Sequence, residues 1–178
     1  MMRKLMILAA PVALVASPAL AQTTSVTGTV DINGTVAGRC MFTLPNKTIS
    51  LGELSLLSNG KLDVSKVNGR SETLNGWCNN TAATMTVTTT QLTTPTAAPG
   101  GFDNRVDYTA TATTGSISAN DTSLTAGAGS PSTVGLFSGD IVVVLSAASS
   151  PNNGLMVAGT YTGNVVVTLT PTVALPEG

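Results

Sequence analysis

Hydrophobic and polar positions alternate most clearly in a short stretch near the N-terminus, residues 26–36. One set of alternate positions holds Val26, Gly28, Val30, Ile32, Gly34 and Val36, and the other holds Thr27, Thr29, Asp31, Asn33 and Thr35. A period of two with one apolar and one wet face predicts a β-strand. Gly34 interrupts it, so residues 26–32 are expected to act apart from the strand that continues over residues 35–44 and carries Cys40. A strand standing ahead of the body of a β-domain has unpaired backbone N–H and C=O groups and needs a sheet to join.

The same rhythm recurs down the chain. β-Branched residues dominate, and no long segment keeps a helical period. Strands are predicted over residues 48–51 (ended by Gly52), 71–78 (ending at Cys78) and 83–92, with Met85, Val87 and Thr89 in phase. Further strands are predicted over 106–114, over the continuous apolar run 141–145, and over 159–170, with Tyr161, Val165, Val167 and Leu169 in phase. Residues 134–137 are expected to pair nearby. Residues 54–70 read as a long connection with one helical turn. Residues 93–104 hold Pro95, Pro99, Gly100 and Gly101 and read as an exposed loop. Residues 115–132 are Ser/Gly/Ala-rich and poorly specified, with a short strand near Leu124. About seven short strands separated by turns predict an all-β chain folded as a β-sandwich.

Length and composition sharpen this picture. The chain has 178 residues, enough for one domain. Residues 1–21 are excluded from the fold. Arg3 and Lys4 form a basic start, residues 5–15 a short apolar core, and Ala19-Leu20-Ala21 an A-x-A cleavage site. A membrane anchor is the alternative, but Pro11 interrupts the apolar run, which is shorter than the roughly 20 residues that a span needs. Loss of the two cations takes the formal net charge from −1 to −3. A mildly acidic chain with no histidine and few aromatics argues against nucleic acid as a partner. No transmembrane span is expected after signal cleavage, because the best candidate, residues 134–148, is interrupted by Ser138, Gly139 and Asp140. Cys40 and Cys78 are the only cysteines. In an exported chain a pair reads as one disulfide, with two free buried thiols as the other reading.

Little in the sequence carries chemistry. Without histidine there is no Ser-His or Cys-His pair, and no enzyme activity, cofactor or metal is expected. Ser65-Lys66 are adjacent, so their side chains diverge. Asp103 and Asp107 bracket Asn104 and Arg105 in what reads as an ordinary solvated turn, with too few oxygen ligands for a calcium loop. Gly127-Ala-Gly129 has no strand before it and no helix after it, so it is not a phosphate loop. Trp77, beside Cys78, is expected in the core, which leaves few aromatics to stack on sugars.

Four stretches together resemble a known family. Residues 28–36 followed by Arg39-Cys40 resemble the start of mature chaperone–usher pilins, where a donor segment runs through a glycine into a cysteine-bearing strand. Thr48-Ile-Ser-Leu-Gly52 is similar to the short strand that follows there, and Thr73-Leu-Asn-Gly-Trp-Cys78 to the strand that ends at the partner cysteine. Residues 159–169 resemble the final Gly-x-Tyr strand, particularly in the spore coat protein U-like branch, alongside the fimbrial major subunits. The middle, residues 93–150, matches in strand character alone.

The resemblance implies an all-β, incomplete immunoglobulin-like sandwich completed by strand donation. It divides the chain into a signal peptide (1–21), an N-terminal donor extension (22–34), a pilin-type domain (35–170) and a C-terminal tail (171–178). Val26, Gly28, Val30 and Ile32 would be donor positions, and Val165, Val167 and Leu169 would line the acceptor groove. The partners implied are neighbouring copies of the chain, a periplasmic chaperone and an outer-membrane usher. The destination implied is a fimbrium at the cell surface, reached through the periplasm and serving adhesion or biofilm formation. Residues 171–178 depart from the family, whose chains end close to the last strand. The rival reading is a self-closed exported β-sandwich whose own N-terminal strand folds back, binding glycans or another surface.

Overall fold

The computed structural model describes residues 25–172. The expected signal peptide, residues 22–24 of the expected donor extension and residues 173–178 of the tail lie outside the described residues. Two units divide between Thr35 and Val36. In the first, residues 25–35 form neither helix nor strand, and their side chains are exposed.

The second unit is all-β: two curled main sheets make a sandwich-like arrangement, and a third, two-stranded sheet pairs residues 102–103 with 155–156 in parallel. Its larger sheet begins with β1 (Cys40–Leu44), which pairs antiparallel with β2 (Ser71–Cys78). One 3₁₀ turn, Val64–Lys66, lies on the connection between them, as the sequence predicts. Asp63 starts this turn by accepting from the Ser65 N–H and hydroxyl at 3.1 and 2.6 Å.

The smaller sheet is centred on β3 (Thr84–Thr89), and the short β4 (Leu92–Thr93) and β5 (Phe102–Asp103) follow in the chain. Next come β6 (Arg105–Thr114), β7 (Ile117–Thr122), the two-residue β8 (Ser132–Thr133) and the long β9 (Phe137–Ser149). The last two are β10 (Leu155–Met156) and β11 (Val165–Thr170). The large sheet runs β1-β2-β9-β6, with β4 and β7 both paired to β6, and the small sheet runs β11-β3-β8.

Strict alternation makes the core. On β6, Val106, Tyr108, Ala110 and Ala112 face inward, and on β9 Ile141, Val143 and Leu145 do. They meet Met85 and Val87 of β3 and Val167 of β11 from the other sheet. The run 141–145 reads as continuously apolar, yet Val142 lies on the outer face, 38% exposed. Beyond it the β6–β9 register shifts between Asp107 and Thr109, where β9 carries one extra residue, and Ala147 adopts φ 51°. This is a β-bulge.

Several sequence expectations are corrected. β1 begins at Cys40, not residue 35. Residues 48–51 form no strand: Ile49 and Leu51 pack on the core, but no strand lies beside their backbone among the described residues. The last strand begins at Val165, because residues 159–164 run as irregular chain close to another segment: a Cβ on Gly163 would sit 2.8 Å from the Gln91 carbonyl oxygen. The stretch 115–132 contains a full strand, β7, while Leu124 is exposed. Trp77 is half-buried on the outer face, since Gly76 and Cys78 take the inward positions on either side.

The pair Asp103 and Asp107 is no solvated turn. Both are buried, at 2% and 1% exposure. Asp103 accepts from the Gly154 N–H at 2.7 Å and from the Asn152 side-chain amide at 2.8 Å, which ties the 150–154 turn to β5. Burial alone would raise the Asp103 carboxyl. The Gly154 N–H and the side chains of Asn152 and Ser150 outweigh it and hold the carboxyl below its ordinary value of 3.8. A carboxyl held low in the folded state adds stability that is complete above pH 3.8 and lost as pH falls through the lower folded value. Asp103→Asn replaces one acceptor oxygen by a donor facing donors. It should cost about 2–4 kcal/mol in urea denaturation at pH 7, and the deficit relative to wild type should shrink on acidification below that range.

Candidate functional site

The feature that stands out is an apolar groove of about 570 Å³ between the start of β11 and the chain that follows β1. Its floor is core: Leu74 of β2, half-buried, and the buried Val143 and Leu145 of β9, Leu92 of β4 and Tyr108 of β6. One wall is Phe42 of β1 with residues 45–49 and Leu51, and the other is β11 from Val165 to Val167. Each wall has a structural reason to stand where it does.

The Phe42 wall is set by β1 and Gly76. β1 is joined to β2 by the Cys40–Cys78 disulfide, between residues directly opposite in the antiparallel ladder. At Gly76 a Cβ would lie 2.8 Å from the Met41 carbonyl oxygen and 3.3 Å from Phe42 Cδ1. Only glycine lets β1 and its phenylalanine approach this closely.

The β11 wall is anchored at its start. The Tyr108 hydroxyl donates to the Asn164 carbonyl at 3.1 Å, and Thr90 accepts from the Asn164 N–H at 2.8 Å. Burial, and secondarily the nearby Asp121 charge, push the Tyr108 phenol up to about 12, so it stays a donor. Asp121 is itself buried and accepts from the Thr89 N–H and hydroxyl, both at 2.7 Å. β11 pairs with β3 along its whole length, Val165 opposite Thr89 to Thr170 opposite Thr84. Among the described residues no strand pairs with its other edge.

The residues singled out from sequence fall as follows. Val165 and Val167 line the groove. Leu169 is partly buried in the same phase, but its Cδ1 lies 3.5 Å from where a Gly76 Cβ would stand, so it packs beyond the groove's end. Val26, Val30 and Ile32 are 93%, 85% and 91% exposed, and Gly28 has open space around it. Cys40 and Cys78 are bonded. The Ser65 hydroxyl is used in the 3₁₀ turn. Among the described residues no cluster of His, Cys, Asp or Glu is placed to hold a metal ion, and no helix is long and apolar enough to cross a membrane. Sequence reasoning missed the floor of the groove. Leu74, Leu92 and Tyr108 are in-phase strand residues with nothing in their own neighbourhood to mark them as groove-lining.

No family model matches the chain, and neither the curated proteins nor the solved structures give a match.

The disulfide closes a loop between residues 38 apart that contains the 45–51 wall. Cys78→Ala should cost about 4 kcal/mol in the chain-entropy limit. Urea denaturation measures the loss, and alkylation of the folded wild-type chain without reductant should label no thiol.

Proposed function

We propose that this chain is the structural subunit of a chaperone–usher-type surface pilus and polymerises by donor-strand exchange. The observation that carries the reading is the groove: an apolar trough floored by core side chains lies directly beside an unpaired strand edge. Such a site suits one more strand, held by main-chain hydrogen bonds to β11 and by alternate side chains in the apolar trough. A flat small-molecule site would not need the free edge, and a closed sandwich would not have the trough.

The segment 26–32 has the matching properties. It has the strand period, its apolar side chains are exposed, and it adopts no secondary structure of its own. Val30 and Ile32 are the large side chains that such a strand would bring. Burying each would stabilise an assembly by about 1.5–3 kcal/mol. One head-to-tail contact repeated without closure gives a filament. In this reading the signal sequence delivers the chain to the periplasm, a chaperone covers the groove, and an usher passes the subunits to the cell surface for adhesion or biofilm formation. The disulfide fits an oxidising compartment on that route.

The mature chain should give a ladder of subunit multiples in cold detergent that collapses on heating. Val30→Asp or Ile32→Asp puts a charge where it can be neither solvated nor paired, and should abolish the ladder while leaving the melt of the body unchanged. Thr29→Asp, on the wet face, should keep it. An intact ladder from Ile32→Asp would rule out the donor assignment, and a lone monomer from the wild-type chain would rule out strand exchange.

A further inference from the structure

We infer that Asp31 of one copy pairs with Lys47 of the next, and that this pair sets the register in which residues 24–34 of a second copy enter the groove. The inference rests on the pilus reading above.

Shape restricts the register first. The trough is open beside Val165 and Val167, while Leu169 packs beyond its end near Gly76. A strand filling it needs two large inward side chains in succession, then a small one at the Leu169 level. The inward series 26, 28, 30, 32, 34, 36 reads Val, Gly, Val, Ile, Gly, Val. Val30 and Ile32 are its only two large residues in succession, and each is flanked by a glycine. Whichever way the strand runs, Val30-Asp31-Ile32 is the tripeptide that belongs over the trough. Asp31 then points outward between them.

Charge completes the argument. Asp31 is the only charged side chain between residues 22 and 38. Two charged residues line the groove: Lys47, exposed on the wall beyond β1, and Glu72, half-buried at an inward position on β2 opposite Val143. The outward carboxylate of Asp31 meets the rim ammonium of Lys47. A slip of one residue would turn every side chain over. It would drive Asp31 into the apolar floor on the Glu72 carboxylate, while Val30 and Ile32 faced water. Lys47 therefore favours one register, and Glu72 penalises its neighbour.

The test uses the mature full-length chain at low salt, as wild type, Asp31→Lys, Lys47→Glu and the double variant Asp31→Lys/Lys47→Glu. Each single change should raise the concentration that half-populates the ladder about fivefold, the scale of one exposed ion pair. The double change should restore it, and 0.5 M salt should bring the four chains together, because exposed pairs are screened at that strength. If the singles polymerise like wild type, or the double fails to recover, the pairing is wrong while the ladder still supports strand exchange. If wild type forms no ladder, the pilus reading falls and the pairing with it. Retention of the Cys40–Cys78 disulfide and an unchanged melt separate loss of pairing from loss of fold. A single variant that misfolds and is not rescued by the double also counts against the pairing.

Discussion

The structure turns on one open edge. β11 pairs with β3 on one side, and on the other it borders a trough whose floor is ordinary core: Leu74, Val143, Leu145 and Tyr108. A sandwich normally covers such residues with another strand. Here Tyr108, Val143 and Leu145 are already buried, and what the trough leaves open is the edge of β11 beside them, a template for strand addition. The rest of the domain therefore has to hold both walls of the trough without help from what would fill it. The disulfide and Gly76 hold the β1 wall. Tyr108, Thr90 and Asn164 hold the start of β11.

Buried carboxylates do much of this holding, which follows from the composition. Aromatic residues make up 3% of the chain, so large side chains cannot bridge every gap between loops and sheets. Asp103, Asp107 and Asp121 are buried instead: Asp103 and Asp121 each accept from a backbone N–H and a side chain, and Asp107 accepts from the Ser123 hydroxyl at 3.5 Å. Asp107 adds the one salt bridge among the described residues, to Arg105 Nε at 3.4 Å. A carboxylate satisfied by two or three donors fixes direction as well as distance. That is how a chain rich in Ser, Thr and Gly keeps long connections such as 90–104 and 150–164 in place.

The strands with strict alternation were legible. Residues 71–78, 83–92 and 106–114 read as strands because apolar side chains recur every second position between polar ones, and β2, β3 and β6 form there. β7 was not legible, because its inward positions hold Ala119 and Asp121. Ile-Ser-Ala-Asn-Asp-Thr reads as a loop until Thr89 is known to supply two donors to Asp121. Nearness to Cys78 suggests the core for Trp77, but parity with that cysteine places it outside. Of the candidate site, one wall was visible, since Val165 and Val167 are in phase. The floor comes from β2, β4, β6 and β9, whose meeting point depends on topology that no local pattern encodes. The disulfide needed only the count of cysteines and the export signal.

The open edge and the exposed segment also constrain each other. An exposed strand edge next to apolar core invites any extended chain, so in the proposed donor reading a subunit must make its own segment a better occupant than a random one. Hydrophobicity alone cannot do that, because any segment with alternating apolar side chains gains burial in the same trough. Discrimination requires a penalty for the wrong offsets. The two glycines around Val30 and Ile32 supply a steric one, since only the intervening tripeptide presents consecutive large side chains. The single charge at Asp31, set against one cation on the rim and one anion on the inner face, supplies an electrostatic one. In the donor reading, specificity then lies in the few residues that are not apolar, and affinity in those that are.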